Sequence, residues 1–250
     1  MALGNIQKLK IQELNKEKAR RQDNKQHCQK ILQGIGKFDD STAHRAIWEL
    51  VQNARDLSQH SHIRIELYED KLIFAHNGRP FNFDSLSSLI KQVSSEEKED
   101  PDAAGQFGTG FMTTHKFSRV LELFGSYEIA EGLYVSLESS DGKGFVIDRS
   151  SDDLLGMIKS MTEQLGKLDK LLDRETTATA EQETAFLYHL DRPERKEAAR
   201  TGVEAAIELM PYVMTVNERI EQCTIQLKDG TSIDFHKENK QDTLSLQQET

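Results

Sequence analysis

GQFGTGF, residues 105–111, is the stretch on which the reading of this chain turns. Gly105, Gly108 and Gly110 share it with Gln106, Thr109 and two aromatics, Phe107 and Phe111. Glycine admits positive φ and lets backbone amides approach a ligand with no Cβ in the way. Phe107 and Phe111 offer anchors to a core while the N–H groups stay free. The continuation from Phe111 to Phe117 reads as the first turns of a helix, whose N-terminal amides would suit a phosphate. Taken alone, the loop has a second reading, a tight turn packed by two aromatics. What separates the two lies upstream.

There, residues 41–57 read STAHRAIWELVQNARDL, with Asp40 and Ser41 as N-cap candidates and no Gly or Pro to interrupt a helix. On a helical wheel Glu49, Asn53 and Asp56 fall within an arc of roughly 60°. Ile47, Leu50, Val51, Ala54 and Leu57 cover the opposite side. A helix packed through that apolar face presents a carboxylate, a carboxamide and a second carboxylate in one row. An amide oxygen is a hard neutral ligand of the kind Mg²⁺ accepts beside waters and substrate phosphates. A carboxylate one turn away can hold or deprotonate a water aimed at a terminal phosphate. By itself the helix is equally readable as one with a solvated polar face.

Together the stretches resemble a known set. An ExxxNxxD helix, an NG turn after a strand and a GxxGxG loop before a helix are the three boxes of the GHKL ATPase superfamily, which includes gyrase, the large heat-shock chaperones, histidine kinases and mismatch-repair MutL. In this chain they are Glu49 to Asp56, His76-Asn77-Gly78-Arg79-Pro80-Phe81, and Gly105 to Phe111. The glycine box is most similar to that of the heat-shock chaperones and microrchidia proteins. The middle box is more similar to that of sacsin-type, divergent chaperone-like ATPases. The resemblance covers about residues 40–190 and continues more weakly beyond.

The resemblance implies an α/β two-layer sandwich, with helices on one face of a mixed, mainly antiparallel sheet. It implies ATP with Mg²⁺ as the bound group, and slow hydrolysis that drives lid closure and a conformational or dimerisation change. Glu49 would polarise the attacking water, Asn53 would ligate Mg²⁺ and Asp56 would support the site. His76, Asn77 and Gly78 would lie against the base. Gly105, Gln106, Phe107, Gly108, Thr109, Gly110 and Phe111 would surround the phosphates. A nucleotide-gated interaction module, in which hydrolysis is incidental, is the alternative. A histidine kinase is disfavoured, since no phospho-acceptor helix is legible upstream.

The middle box departs from the superfamily. Its usual first residue is an aspartate that accepts from the adenine amino group; here it is His76, and Pro80 replaces the second glycine. If His76 faces the base, ATP affinity falls as pH drops through the imidazole's titration, because a protonated His has no acceptor. In the other register Asn77's carboxamide faces the base.

Composition agrees with a soluble, cytoplasmic protein. The chain is 36% hydrophobic over 250 residues, enough for one large core. A formal charge of −10 argues against a generally nucleic-acid-binding surface while leaving room for a local basic patch. Cys28 and Cys223 stand far apart and read as free thiols. His60 and His62 have no second pair at ligand spacing, so a zinc site is not indicated. A GxSxG elbow and a Cys/His nucleophile arrangement are absent. No apolar stretch approaches membrane-spanning length.

Three parts are expected: a polar helical arm over 1–36, an ATP-binding domain over 37–192, and an extension over 193–250 that could begin a further domain. The arm, or a domain beyond the chain, is where a homodimer would form; the protein client is unknown. His62 to Tyr68 and Lys71 to Ala75 read as paired strands, and Phe83 to Val93 as a short helix. Ser94 to Ala104 is polar and sits where the superfamily carries its ATP lid. Strands are expected near Arg119 to Tyr127, Gly132 to Glu138 and Gly144 to Asp148. A helix should span Asp152 to Arg174 with a stripe through Leu155, Ile158, Met161, Leu165, Leu168 and Leu172. Thr184 to Leu190 should be the last strand of the sheet, followed by a helix and a hairpin around Lys228 to Thr231. The final KENKQDTLSLQQET closes no recognisable element.

Overall fold

Period-two apolar alternation in HIRIEL, the short apolar run of KLIFAH, and a 3.6-residue period between them and the arm build one sheet with helices packed on it. The structure, a computed structural model, describes residues 2–92, 110–181, 183–240 and 243–249, and side chains from residue 10 to 237 within those spans. Gly105 to Thr109 and Ser94 to Ala104 lie outside the described residues.

The helices are α1 (Ala2–Ile35), α2 (Thr42–Leu57), α3 (Phe83–Lys91), α4 (Leu154–Asp169) and α5 (Pro193–Val216). The main-sheet strands are β1 (Ser61–Leu67), β2 (Lys71–His76), β4 (Val120–Phe124), β7 (Phe145–Asp148), β8 (Thr184–His189), β9 (Ile220–Gln226), β10 (Ser232–Lys240) and β11 (Thr243–Glu249). They run in the order β11-β10-β9-β1-β2-β8-β4-β7. Only the β1–β9 pair in this sheet is parallel. A small second sheet holds β3 (Phe81–Asn82), β5 (Ser126–Ala130) and β6 (Leu133–Ser136). This is a mixed α/β two-layer sandwich with a mainly antiparallel sheet.

Inward-facing Ile63, Ile65, Leu72, Phe74, Phe186, Tyr188, Leu121 and Leu123 are all buried in one cluster with Ile47, Leu50, Val51 and Ala54 of α2. Each such side chain contributes about 1.5–3 kcal/mol of burial free energy, so α2 is held to the sheet by its apolar stripe rather than by its caps. Its start is organised by Asp39, not by Asp40 or Ser41. The Asp39 carboxylate accepts from the Ser41 and Thr42 hydroxyls at 2.8 and 2.9 Å. Ser41 occupies the N-cap position without a side-chain cap.

Several expected boundaries move. The single strand expected over Arg119 to Tyr127 is two, in different sheets, and the chain leaves one for the other at Gly125, whose φ is +117°. The buried stripe of α4 runs through Met157, Met161, Leu165 and Leu168, while Leu155 is 79% and Leu172 60% exposed. Thr184 to Leu190 is not the last strand. It lies centrally as β8, and β9, β10 and β11 extend the sheet on the far side of β1. No break in the sheet falls at residue 193, and the terminal stretch forms the end of β10 and β11.

Arg149, immediately after β7, is fully buried. It donates to the Asp148 carbonyl and the Gln164 amide oxygen, each at 2.8 Å, and to the Ile90 carbonyl at the end of α3. One guanidinium therefore ties β7, α4 and α3 together, with burial lowering its pKa to about 10. Nearby, Gln92 takes the left-handed conformation (φ 51°) and ends α3. Its side-chain amide meets His115 Nε2, while His115 Nδ1 donates to the Ser118 carbonyl at 3.2 Å. The two ends of the 93–109 segment are thereby joined side chain to side chain.

Candidate active site on helix α2

The site is built outward from α2. Asn53 is 5% exposed and Glu49 half-buried, one turn apart. The Asn53 Nδ2 has no hydrogen-bond partner among the described residues. Burial raises the Glu49 pKa, and Arg45, four residues earlier, opposes that rise. A carboxylate with an elevated pKa is a better proton acceptor from water than a fully solvated one.

Two backbone segments come close to this helix. Gly110 is the last glycine of the glycine box, and a Cβ there would fall inside the Glu49 carboxylate. Its carbonyl accepts from the Thr113 amide at 2.9 Å and the Thr113 hydroxyl at 2.8 Å, which fixes the turn that follows. That turn, Phe111–Lys116, is a six-residue 3-10 helix where the sequence suggested the first turns of a longer helix. Phe111 is 1% exposed and packs 5.6 Å from the Phe186 ring, anchoring the turn to β8.

The second segment is the turn after β2. The Arg79 amide donates to the Leu57 carbonyl at 3.0 Å, which docks the turn on the end of α2. Gly78 sits where a Cβ would lie 2.6 Å from the Leu57 Cβ and 2.7 Å from His76 Nδ1, so only glycine fits. Beside it a cleft of about 620 Å³ is bordered by Asp56, Leu57, Asn77, Gly78, Arg79 and Glu181. Glu49 thus faces Gly110, Leu57 faces Gly78, and buried Asn53 lies between them on α2.

The two registers of the middle box separate clearly. Asn77 is committed to β1: its Oδ1 accepts from the His62 amide at 2.9 Å and its Nδ2 donates to the His60 carbonyl at 2.8 Å. His76 faces inward, opposite Ile63 and Thr184, and is 1% exposed. Its Nδ1 accepts from the Gly78 amide at 3.0 Å. The neutral ring therefore carries its proton on Nε2, which is buried with no partner among the described residues. His76 therefore offers a donor, Nε2–H, and no free acceptor nitrogen.

Asp56 borders the cleft at the end of α2. Its Oδ1 is held by the neighbouring Arg55 through Nε at 2.8 Å and a terminal nitrogen at 2.6 Å, and Arg55 also reaches Asn217. Arg45 and Thr184 were missed. Arg45 was readable from its four-residue spacing to Glu49; Thr184 becomes visible only through the β2–β8 register.

No family model matches the chain, and no curated protein matches it. Among solved structures it is similar to one described as the crystal structure of the N-terminal domain of a DNA repair protein. The two share 13% identity at a TM-score of 0.39, over 75% of this chain and 49% of that one. The chain thus corresponds to about half the length of that structure.

Burial also sets a pH dependence. It lowers the His76 pKa to about 4 and that of His115 to about 3. The unfolded chain, with imidazoles near 6.5, binds more protons below that value, so stability is fully present above pH 6.5 and is lost as pH falls toward 4. Each ring is expected to cost about 2 kcal/mol by pH 5, above the range where ordinary carboxylates titrate. Urea unfolding between pH 7.5 and 5 measures this; a flat free energy across that window would contradict it. His76 also stays neutral at physiological pH, so any ligand affinity it governs is flat there, contrary to the dependence expected from an ordinary imidazole.

Among the described residues no helix is long and apolar enough to cross a membrane. No group of three or more His, Cys, Asp or Glu side chains among them is arranged to hold a metal ion. Both cysteines are buried free thiols.

Proposed function

We propose that this protein binds ATP with Mg²⁺ and hydrolyses it slowly, as a chaperone-like cytoplasmic member of the GHKL superfamily. The observation that carries the reading is convergence. Residues from the other two sequence boxes both reach α2, Gly110 against Glu49 and Gly78 against Leu57, each one turn from Asn53. Buried Asn53, whose Nδ2 has no hydrogen-bond partner among the described residues, lies between them.

The residues fit Mg²⁺ in the mode that suits it best. The ion keeps waters and takes phosphate oxygens, so one neutral protein ligand suffices and no carboxylate cluster is needed. Asn53 would hold it, and the ion would neutralise charge on the phosphates. Glu49 would accept the proton of the attacking water, its basicity raised by burial and moderated by Arg45. His76, through Nε2–H, would donate to an acceptor on the base edge. Turnover would drive a conformational cycle, with dimerisation as one form of it.

Asn53→Ala should abolish ATP binding, or its dependence on Mg²⁺, while leaving the fold intact. Isothermal titration of both proteins with and without Mg²⁺ is the test. Equal ATP affinity in all four titrations would overturn the assignment.

A further inference from the structure

Only the second half of α1 belongs to the body of the protein. Asn24, Cys28 and Ile31 are buried, and the helix packs there against α4, α3 and the 3-10 turn. Residues 10–23 are exposed at every position. At 1.5 Å per residue this is a free rod of about 21 Å. A helix that is polar on all sides gains little from its own sequence, and the i,i+4 ion pair among its described side chains, Arg21–Glu17 at 3.7 Å, is exposed and weak.

The charge on the rod is opposite to that of the rest. Helix α1 carries eight of the chain's 32 basic residues and three of its 42 acidic ones, so it is net +5 on a chain of net −10. Lys10, Lys18, Arg21 and Lys25 fall within an arc of about 80° at 100° per residue, and Glu13, Glu17 and Asp23 fall outside it. Projection matters because the Debye length at physiological salt is about 8 Å. Measured along the helix, residue 10 lies about 21 Å from the packed turn at Asn24, so the body's charge is largely screened toward that end.

We infer that the projecting half of α1 binds the phosphate backbone of a nucleic acid, without sequence preference. Duplex DNA carries one charge per about 1.7 Å of axis, so four cations spread over about 22 Å meet phosphates in any register. A membrane surface fits less well, because Ile11 and Leu14 are the only large apolar side chains among residues 10–23. A protein partner fits less well for the same reason, since the rod offers no aromatic anchor.

The test is fluorescence anisotropy of a labelled 24-base-pair duplex with the full chain at 50 and 200 mM KCl. Four released counterions predict that affinity falls about 150-fold between those salts. The quadruple variant Lys10→Gln, Lys18→Gln, Arg21→Gln, Lys25→Gln should lose at least about 30-fold at 50 mM, by the same electrostatic accounting. Its melting temperature should match wild type, because these side chains are exposed. Lys196→Gln with Lys228→Gln, on the body, should leave DNA binding unchanged. Absence of binding at 50 mM salt, a quadruple variant that binds like wild type, or binding to phosphatidylserine vesicles in place of DNA would each overturn the inference. Since no nucleotide is added, failure here leaves the ATP reading untouched, and the reverse.

Discussion

Glu49→Gln is expected to retain ATP and lose hydrolysis by roughly 10²–10⁴-fold, the range typical of a lost general base. Glutamine keeps the shape and the polar contact but cannot take a proton at neutral pH. The split between binding and turnover is the informative part. Titration calorimetry should give an unchanged dissociation constant while single-turnover release of labelled phosphate collapses. Wild-type turnover in the variant would remove Glu49 from the mechanism. Wild-type turnover is itself expected to be slow if a further segment supplies a charge to the site.

Gly110→Ala should do nearly the same thing from the other side. The added methyl group occupies the space of the Glu49 carboxylate, which is the far end of a flexible side chain. The carboxylate can swing away, so stability should change by less than about 1 kcal/mol, as for a substitution that displaces no core. A misplacement of about 1 Å, however, can cost on the order of 10²-fold in rate. Because both substitutions act through one carboxylate, the double variant should be no slower than Glu49→Gln alone. Multiplying effects in the double variant would show that Gly110 acts independently of Glu49.

The sandwich was legible because its main elements announce themselves locally. HIRIEL alternates strictly, KLIFAH is a short apolar run bounded by polar residues, and STAHRAIWELVQNARDL carries a continuous apolar stripe with Glu49 and Asn53 off it. What failed to show were features whose cause lies far away in sequence. Gly125 divides one apolar run between two sheets, and nothing local tells a turn glycine from a strand glycine. The terminal stretch is too polar to read as a strand; the end of β10 and β11 form there because the hairpin already offers an edge. Asp56 looked equivalent to Glu49 on a wheel, yet its adjacent arginine claims it. Nothing local marks Arg149, just after a strand, as a residue fully buried among backbone carbonyls. His76 was recognisable as a substitution for aspartate. That it would be a donor depended on the Gly78 amide reaching its Nδ1.

The contact between Gln92 and His115 has a consequence for how this fold tolerates change. It shortens the effective loop: the ends that residues 93–109 must connect are held together by groups of the body, independently of what lies between. Loop-closure entropy then grows only logarithmically, at about 0.6 kcal/mol for each doubling of length. A reporter domain inserted between points so joined is expected to cost the sandwich little in closure entropy, which a comparison of urea unfolding with the parent chain would measure.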